Sequence, residues 1–319
     1  MNTYDKVTVI GLVTLTVLSV ILNLFSLIMT IRKRSKVMFV RIVLGSLFIS
    51  NMFQAVLGYP VRVYALVTNR NATDTECKFE GFAVFSMAST SIAHITVICI
   101  HLIVQVKRPF FARYLNEDAK VAFGSVLFSW LFGILIAIPP FYGWSRYAPD
   151  ADNMFCCLDF GLRNTRAMIY VALAMTLLYV LPLLLLIASP LFRRKKTLRR
   201  RNTNELSSTR YFKVGLAMML CFIVTWTPYA IMALLVFASV PVMPSVVLAC
   251  NIIAKVSALP NSIIYSMSYK IHDSLPGICC IANLKSMRTN TNNKANCLNI
   301  KERRQIILSV DDNSALITT

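Results

Sequence analysis

Charge is what this sequence has least of. Asp, Glu, Lys and Arg together make up 15% of 319 residues, hydrophobic residues make up 56%, and the mean hydropathy is +0.62. That composition excludes an ordinary soluble domain. Acids are scarcer still, 14 against 33 Lys and Arg. Histidine is rare, 3 in all, and His94 and His101 stand on one helix with only Cys99 beside them, which is not a metal ligand set. No phosphate loop and no nucleophile triad is visible. No inverted repeat, selectivity filter or second intramembrane charge pair marks a channel or transporter.

What is present is a series of long charge-free runs: Val7 to Ile31, Ile42 to Val61, Gly81 to Val106, Val121 to Ser145 and Ala167 to Phe192. Each reaches the roughly 20 residues a helix needs to cross the hydrocarbon. A further run from Val214 to Ala254 is too long for one span, and Ser239-Val240-Pro241-Val242-Met243-Pro244-Ser245 divides it in two. The expected fold is therefore an all-α bundle of seven transmembrane helices, with spans at about 7–31, 42–66, 77–106, 119–144, 166–192, 208–238 and 245–269. Residues 1–282 make this domain with a short juxtamembrane helix, and 283–319, polar and basic, read as a disordered cytoplasmic tail.

Loops rich in Lys and Arg stay in the cytoplasm. Arg32-Lys33-Arg34-Ser35-Lys36 and the stretch Arg193 to Arg201 carry no acid, whereas Asp74, Glu76, Asp150, Asp152 and Asp159 lie in the opposite loops. The N-terminus is expected outside and the C-terminus inside. The formal charge of +19 then faces anionic lipid and needs no nucleic acid to explain it. No cleavable signal is expected, since the first apolar run is too long and ends in basic residues. Asn71-Ala72-Thr73 falls on an outer loop, which makes Asn71 a glycosylation acceptor. Cys99, Cys221 and Cys250 lie within spans as packing residues, while Cys77 and the pair Cys156-Cys157 lie outside, where a disulfide persists.

One residue interrupts the apolar pattern. From Val214 to Tyr269, Lys255 is the only Asp, Glu, Lys or Arg. A lone ammonium in a membrane span must be neutralised, paired or chemically consumed. A desolvated lysine is a nucleophile, and condensation with an aldehyde is the reaction it does best. Glu80 stands one turn beyond Cys77, where the Lys255 side chain can extend toward its level. A carboxylate there would offset the cation of a protonated imine.

The local sequences carry a resemblance. Ala254-Lys255-Val256-Ser257-Ala258 followed by Asn261-Ser262-Ile263-Ile264-Tyr265 resembles the retinal-attachment segment of animal opsins. Cys77-Lys78-Phe79-Glu80-Gly81-Phe82 resembles the start of their third helix. Pro139 to Tyr147 resembles the end of their fourth helix and the cap over retinal, and Trp226-Thr227-Pro228-Tyr229 resembles their sixth-helix motif. Asn23, Trp130 and Pro182 stand at familiar places, so the likeness spans all seven helices.

The resemblance implies 11-cis-retinal bound as an imine to Lys255, with Glu80 as counterion and Asp150 as the second loop carboxylate that serves many invertebrate opsins. It implies a Cys77 disulfide to Cys156, with the adjacent Cys157 not excluded. The implied pocket walls are Gly81, Val84, Phe85, Ala88 and Ser89, then Tyr179, then Phe222, Trp226, Tyr229 and Ala230, then Asn251. Pro228 should kink span six. A multi-pass receptor of the plasma or photoreceptive membrane follows, with a heterotrimeric G protein and arrestin as family partners. Palmitoylation of Cys279 and Cys280 follows too. It is a receptor rather than an enzyme, against two rivals: a retinal photoisomerase and a rhodopsin-class receptor for another small molecule.

The cytoplasmic half departs from the opsin pattern. The acidic-Arg-aromatic triplet falls on His101-Leu102-Ile103, the span-five tyrosine on Pro190, the second-helix acid on Asn51, and the Asn-Pro pair on Asn261-Ser262 with Pro260 before it. G-protein coupling is therefore expected to be weak, unusual or absent.

Overall fold

The computed structural model of the chain describes residues 3–32, 38–108, 111, 115, 118–150, 155–188 and 203–268. Pro190, the basic stretch from Arg193, Cys279, Cys280 and the tail from Asn283 lie outside these residues. The chain divides into two compact units, Met1–Ser266 and Met267–Thr319, and only residues 267 and 268 of the second are described.

The helices are α1 (Thr3–Arg32), α2 (Met38–Val67), α3 (Asp74–Lys107), α4 (Ala119–Ala137), α5 (Thr165–Met175), α6 (Leu181–Ala188), α7 (Thr203–Phe237) and α8 (Pro244–Val256). A π turn over Thr176–Val180 joins α5 to α6 in one span, and a helical segment at 260–268 continues α8. Seven helical spans are thereby long and apolar enough to cross a membrane, as the charge-free runs foretold. Polar side chains start the helices: Thr73 and Glu76 form a reciprocal capping box on α3, Asp118 caps α4 and Asn164 caps α5. α7 runs unbroken through Pro228 and ends at Phe237, where Ser239 takes φ 64° and turns the chain toward α8.

α3 is the central helix. The apolar window of its span is 72% buried, against 17% for the fifth span and 22% for the first and fourth. The other helices keep Ile10, Phe123, Leu127, Leu135 and Leu184 exposed, as a surface facing lipid requires. The main core packs Val43, Leu47 and Phe48 of α2, Ile95 and Leu102 of α3, and Met218, Met219 and Phe222 of α7.

One end of the bundle carries a two-stranded antiparallel hairpin, β1 (Tyr147–Pro149) with β2 (Cys156–Leu158), in which Pro149 pairs with Cys156 and Tyr147 with Leu158. The disulfide Cys77–Cys156, with Cα atoms 5.2 Å apart, ties β2 to the start of α3. Cys157 is a free thiol, which settles the choice between the two adjacent cysteines.

Candidate functional site

The buried stripe of α8 is Val247, Cys250, Asn251, Ala254 and Lys255, the spacing of one helical face. Lys255 is 6% exposed. Two residues later the helix gives way to a turn over 257–259, because Pro260 has no N–H to donate to the preceding turn. The Leu259 N–H bonds to the Val256 carbonyl instead of that of Lys255. The Lys255 carbonyl accepts from the Tyr59 hydroxyl at 3.1 Å. The Ala258 carbonyl accepts from Asn23 at 3.3 Å and from Asn51 at 3.4 Å. Side chains of α1 and α2 thus satisfy the broken helix and fix Lys255 in place.

The Lys255 Nζ lies 4.3 Å from the ring centre of Phe155 and 5.6 Å from that of Tyr59, within cation–π range. Among the described residues it makes no ion pair; Arg70–Glu76, Lys78–Asp74 and Arg146–Asp159 pair at the periphery. The Lys255 ammonium lies against these aromatic faces, and its charge and that of Glu80 still act on each other. Glu80 is 1% exposed and its Oε2 has no hydrogen-bond partner, an unusual state for a carboxylate oxygen.

Asp150 is held differently. Its Oδ2 accepts from Asn251 at 3.1 Å, its Oδ1 from the Phe155 N–H at 3.2 Å, and its own N–H donates to the Phe155 carbonyl at 2.8 Å. Asn251 is one helical turn from Lys255, so the hairpin is seated on the seventh span beside the lysine. Cys157, next in β2, lies in the same cluster: burial first, and then the nearby Asp150 charge, push its thiol up to about 12.

The expected walls divide into three groups. Gly81 backs onto the hairpin, since a Cβ there would lie 2.5 Å from Tyr147 Cδ1, and the Tyr147 hydroxyl donates to the Ala137 carbonyl at 2.8 Å. Phe85 packs against the same hairpin cluster as Tyr229. Ala88 and Ser89 are buried on α3, and Ser89 Oγ has no partner. In α7, Trp226 stacks on Phe222 and meets Tyr229 edge to face, each at 5.6 Å, while its Nε1–H is buried without an acceptor. Ala230 is buried one turn from Trp226. The Tyr179 hydroxyl shares a 2.7 Å hydrogen bond with Thr227, joining the π turn to α7.

Arg62, Tyr59 and Phe155 belong to this cluster and were not read from the sequence. Arg62 is 3% exposed on α2, and its charge acts on Glu80 and Asp150. In the sequence it only marks the end of the charge-free run at Val61, within the expected span 42–66. A cation three residues after a tyrosine, inside a 30-residue apolar helix, was the available signal.

Toward the opposite end the departures are structural. Leu102 is 1% exposed, and its Cδ1 would sit 2.8 Å from a Cβ at Gly215, so α3 and α7 meet there through aliphatic contact. His101 stacks on Phe39 with ring centres 3.9 Å apart. Asn51 bonds Asn23 at 3.1 Å and accepts from Ser91 at 2.8 Å, while Ser262 donates to Asn23 at 2.6 Å. This network links four spans without a charge.

Seven apolar helices enclose a buried lysine and a buried carboxylate beneath a disulfide-tied hairpin. The family of 7 transmembrane receptors (rhodopsin family) matches residues 22–265, and the chain belongs to it as a multi-pass membrane protein. It is 29% identical to a melanopsin of Phodopus sungorus over 216 residues, 61% of this chain and 45% of that protein. It is 24% identical to the "Rhodopsin, GQ-coupled" of Mizuhopecten yessoensis over 342 residues, 98% of this chain and 68% of that protein. The chain thus spans less than half the length of the melanopsins it matches. The crystal structure of squid rhodopsin has the same fold, with a TM-score of 0.72 at 22% identity over 82% of this chain and 77% of that one.

Proposed function

We propose that the chain is an opsin-type light receptor that holds 11-cis-retinal as a Schiff base on Lys255. The carrying observation is the pairing of a buried, un-ion-paired Lys255 amine among aromatic rings with a buried Glu80 oxygen that lacks any partner. Among the described residues six buried polar side-chain atoms lack a hydrogen-bond partner, and Glu80, Ser89 and Trp226 carry three of them. That suits a long apolar aldehyde whose attached end becomes cationic. Bound retinal supplies light absorption and a change of shape.

The protein supplies everything else. Lys255 brings the nucleophile on a helix stiffened by Tyr59 and the asparagines. Glu80 faces the positive charge at the Lys255 nitrogen from α3, and Asp150, with both oxygens engaged, shapes the field more than it pairs. The hairpin and disulfide close the outer end against water, with the N-terminus on that side. Trp226 and Tyr229 take up displacement within α7, where Pro228 between them gives the hinge. Output to a heterotrimeric G protein is weakened or altered, since buried Leu102 stands where the family's arginine would contact it.

Reductive trapping tests the attachment. Membranes expressing the chain are supplied with 11-cis-retinal in the dark, treated with borohydride and digested. The expected product is a retinyl group on the peptide containing Lys255. Retinyl label absent from Lys255, or unchanged in Lys255→Ala, contradicts the reading.

A further inference from the structure

We propose that Arg62 is the standing countercharge of Glu80, keeping that carboxylate ionised whatever charge Lys255 carries. The placement follows from helix geometry. α2 and α3 are antiparallel neighbours, and a Cβ at Gly58 would lie 2.3 Å from Val84 Cγ2, so the two backbones approach closely at that level. One turn on from Gly58 along α2 is Arg62, and one turn back from Val84 along α3 is Glu80. On antiparallel helices both steps lead the same way, toward the hairpin, so Arg62 and Glu80 stand at one level of the two helices, and their charges act on each other.

Burial makes that placement consequential. Both side chains are withdrawn from solvent, at 3% and 1% exposure. Tyr59, on the same face of α2 as Arg62, is bonded to the Lys255 carbonyl, which holds α2 against the seventh span. The groups facing Glu80 are Arg62 from α2, Lys255 from the seventh span, Asp150 and Cys157 from the hairpin. Among the described residues, two carboxylates therefore share this interior with two cations. Lys255 is the variable member, because an amine can lose its proton or be consumed by an aldehyde. A guanidinium keeps its charge under all such conditions. Without Arg62, loss of charge at Lys255 would leave Glu80 buried with neither of the two described cations that act on it, a state that favours taking up a proton. With Arg62, Glu80 remains an anion on both sides of that change.

The consequence for light reception rests on Lys255 being the retinal-bearing residue, but the charge state of Glu80 does not. The test accordingly uses purified full-length protein without retinal. Infrared difference spectra are taken between Lys255→Ala and Lys255→Ala with Glu80→Gln. The expected signal from Glu80 is the paired stretch of an ionised carboxylate at neutral pH. Adding Arg62→Met should replace it by the single carbonyl stretch of a protonated acid, and Arg62→Lys should leave it ionised. A protonated Glu80 in Lys255→Ala overturns the proposal, and so does an ionised Glu80 that survives Arg62→Met. Should the Met variant fail to fold, the Lys255→Ala comparison decides alone. Failure of the retinal reading shows elsewhere, as a wild-type protein that takes up no retinal.

Discussion

Gly58→Ala tests the contact that sets the register of α2 against α3. The added Cβ would meet Val84 Cγ2 at 2.3 Å. That is about 1.5 Å inside the separation at which two carbons attract. Val84 is β-branched and stiff at χ1, so rotation offers little relief and the helices must part. Overpacking of this kind costs about 1–3 kcal/mol, and 2 kcal/mol is about a thirtyfold loss in the ratio of folded to unfolded protein. The compensating change is Val84→Ala, which removes both γ carbons. The remaining Val84 Cβ is 3.6 Å from the new methyl, an ordinary contact. The double variant should recover most of the loss, with a coupling energy of about 1–2 kcal/mol. Thermal denaturation in detergent, followed by the monomer fraction on size exclusion, measures all four corners of the cycle. A single variant as stable as wild type, or a double variant whose losses simply add, would refute the reasoning.

Three further outcomes follow from the same geometry. Glu80→Gln should abolish the visible band of the retinal-loaded protein at neutral pH, because a buried cation deprived of its partner loses on the order of 3 kcal/mol, whereas Asp150→Asn should only shift it; the reverse pattern would make Asp150 the working counterion. Cys157, its thiol pushed up to about 12 chiefly by burial, holds about one thiolate in ten thousand at pH 8, so alkylation there should run about a thousandfold slower than for a free cysteine and quicken only as pH approaches 12. Labelling of Cys157 at an ordinary rate at pH 8, read by peptide mass, would contradict this. Leu102→Arg, which restores the family's arginine at a site 1% exposed, should cost several kcal/mol and yield little folded receptor. A folded variant with increased light-dependent nucleotide exchange on a G protein would show that the position is not locked.

The spans were legible because membrane crossing demands long charge-free runs, and Lys255 because it alone breaks one. Glu80 and Cys77 could be placed on one helix by their spacing. The seating of Asp150 on Asn251 could not, because it depends on a hairpin whose strands bring Phe155 and Asp150 together across four intervening residues. The choice of Cys156 over Cys157 rests on strand alternation: Pro149 pairs with Cys156, and the next side chain points to the opposite face. Arg62 escaped notice because a cation near a span boundary normally snorkels to the interface. Its burial is seen only in the packed bundle, where α2 and α3 approach closely at Gly58. The π turn over Thr176–Val180 leaves no sequence pattern that distinguishes it from continuous helix.

The most direct test of the account is an absorbance spectrum of the purified chain, loaded with 11-cis-retinal in the dark and recorded before and after illumination, with Lys255→Ala as control. The account predicts a visible band that shifts with light and is absent from the control. A folded wild-type protein with no such band, or a band that persists in Lys255→Ala, would contradict it.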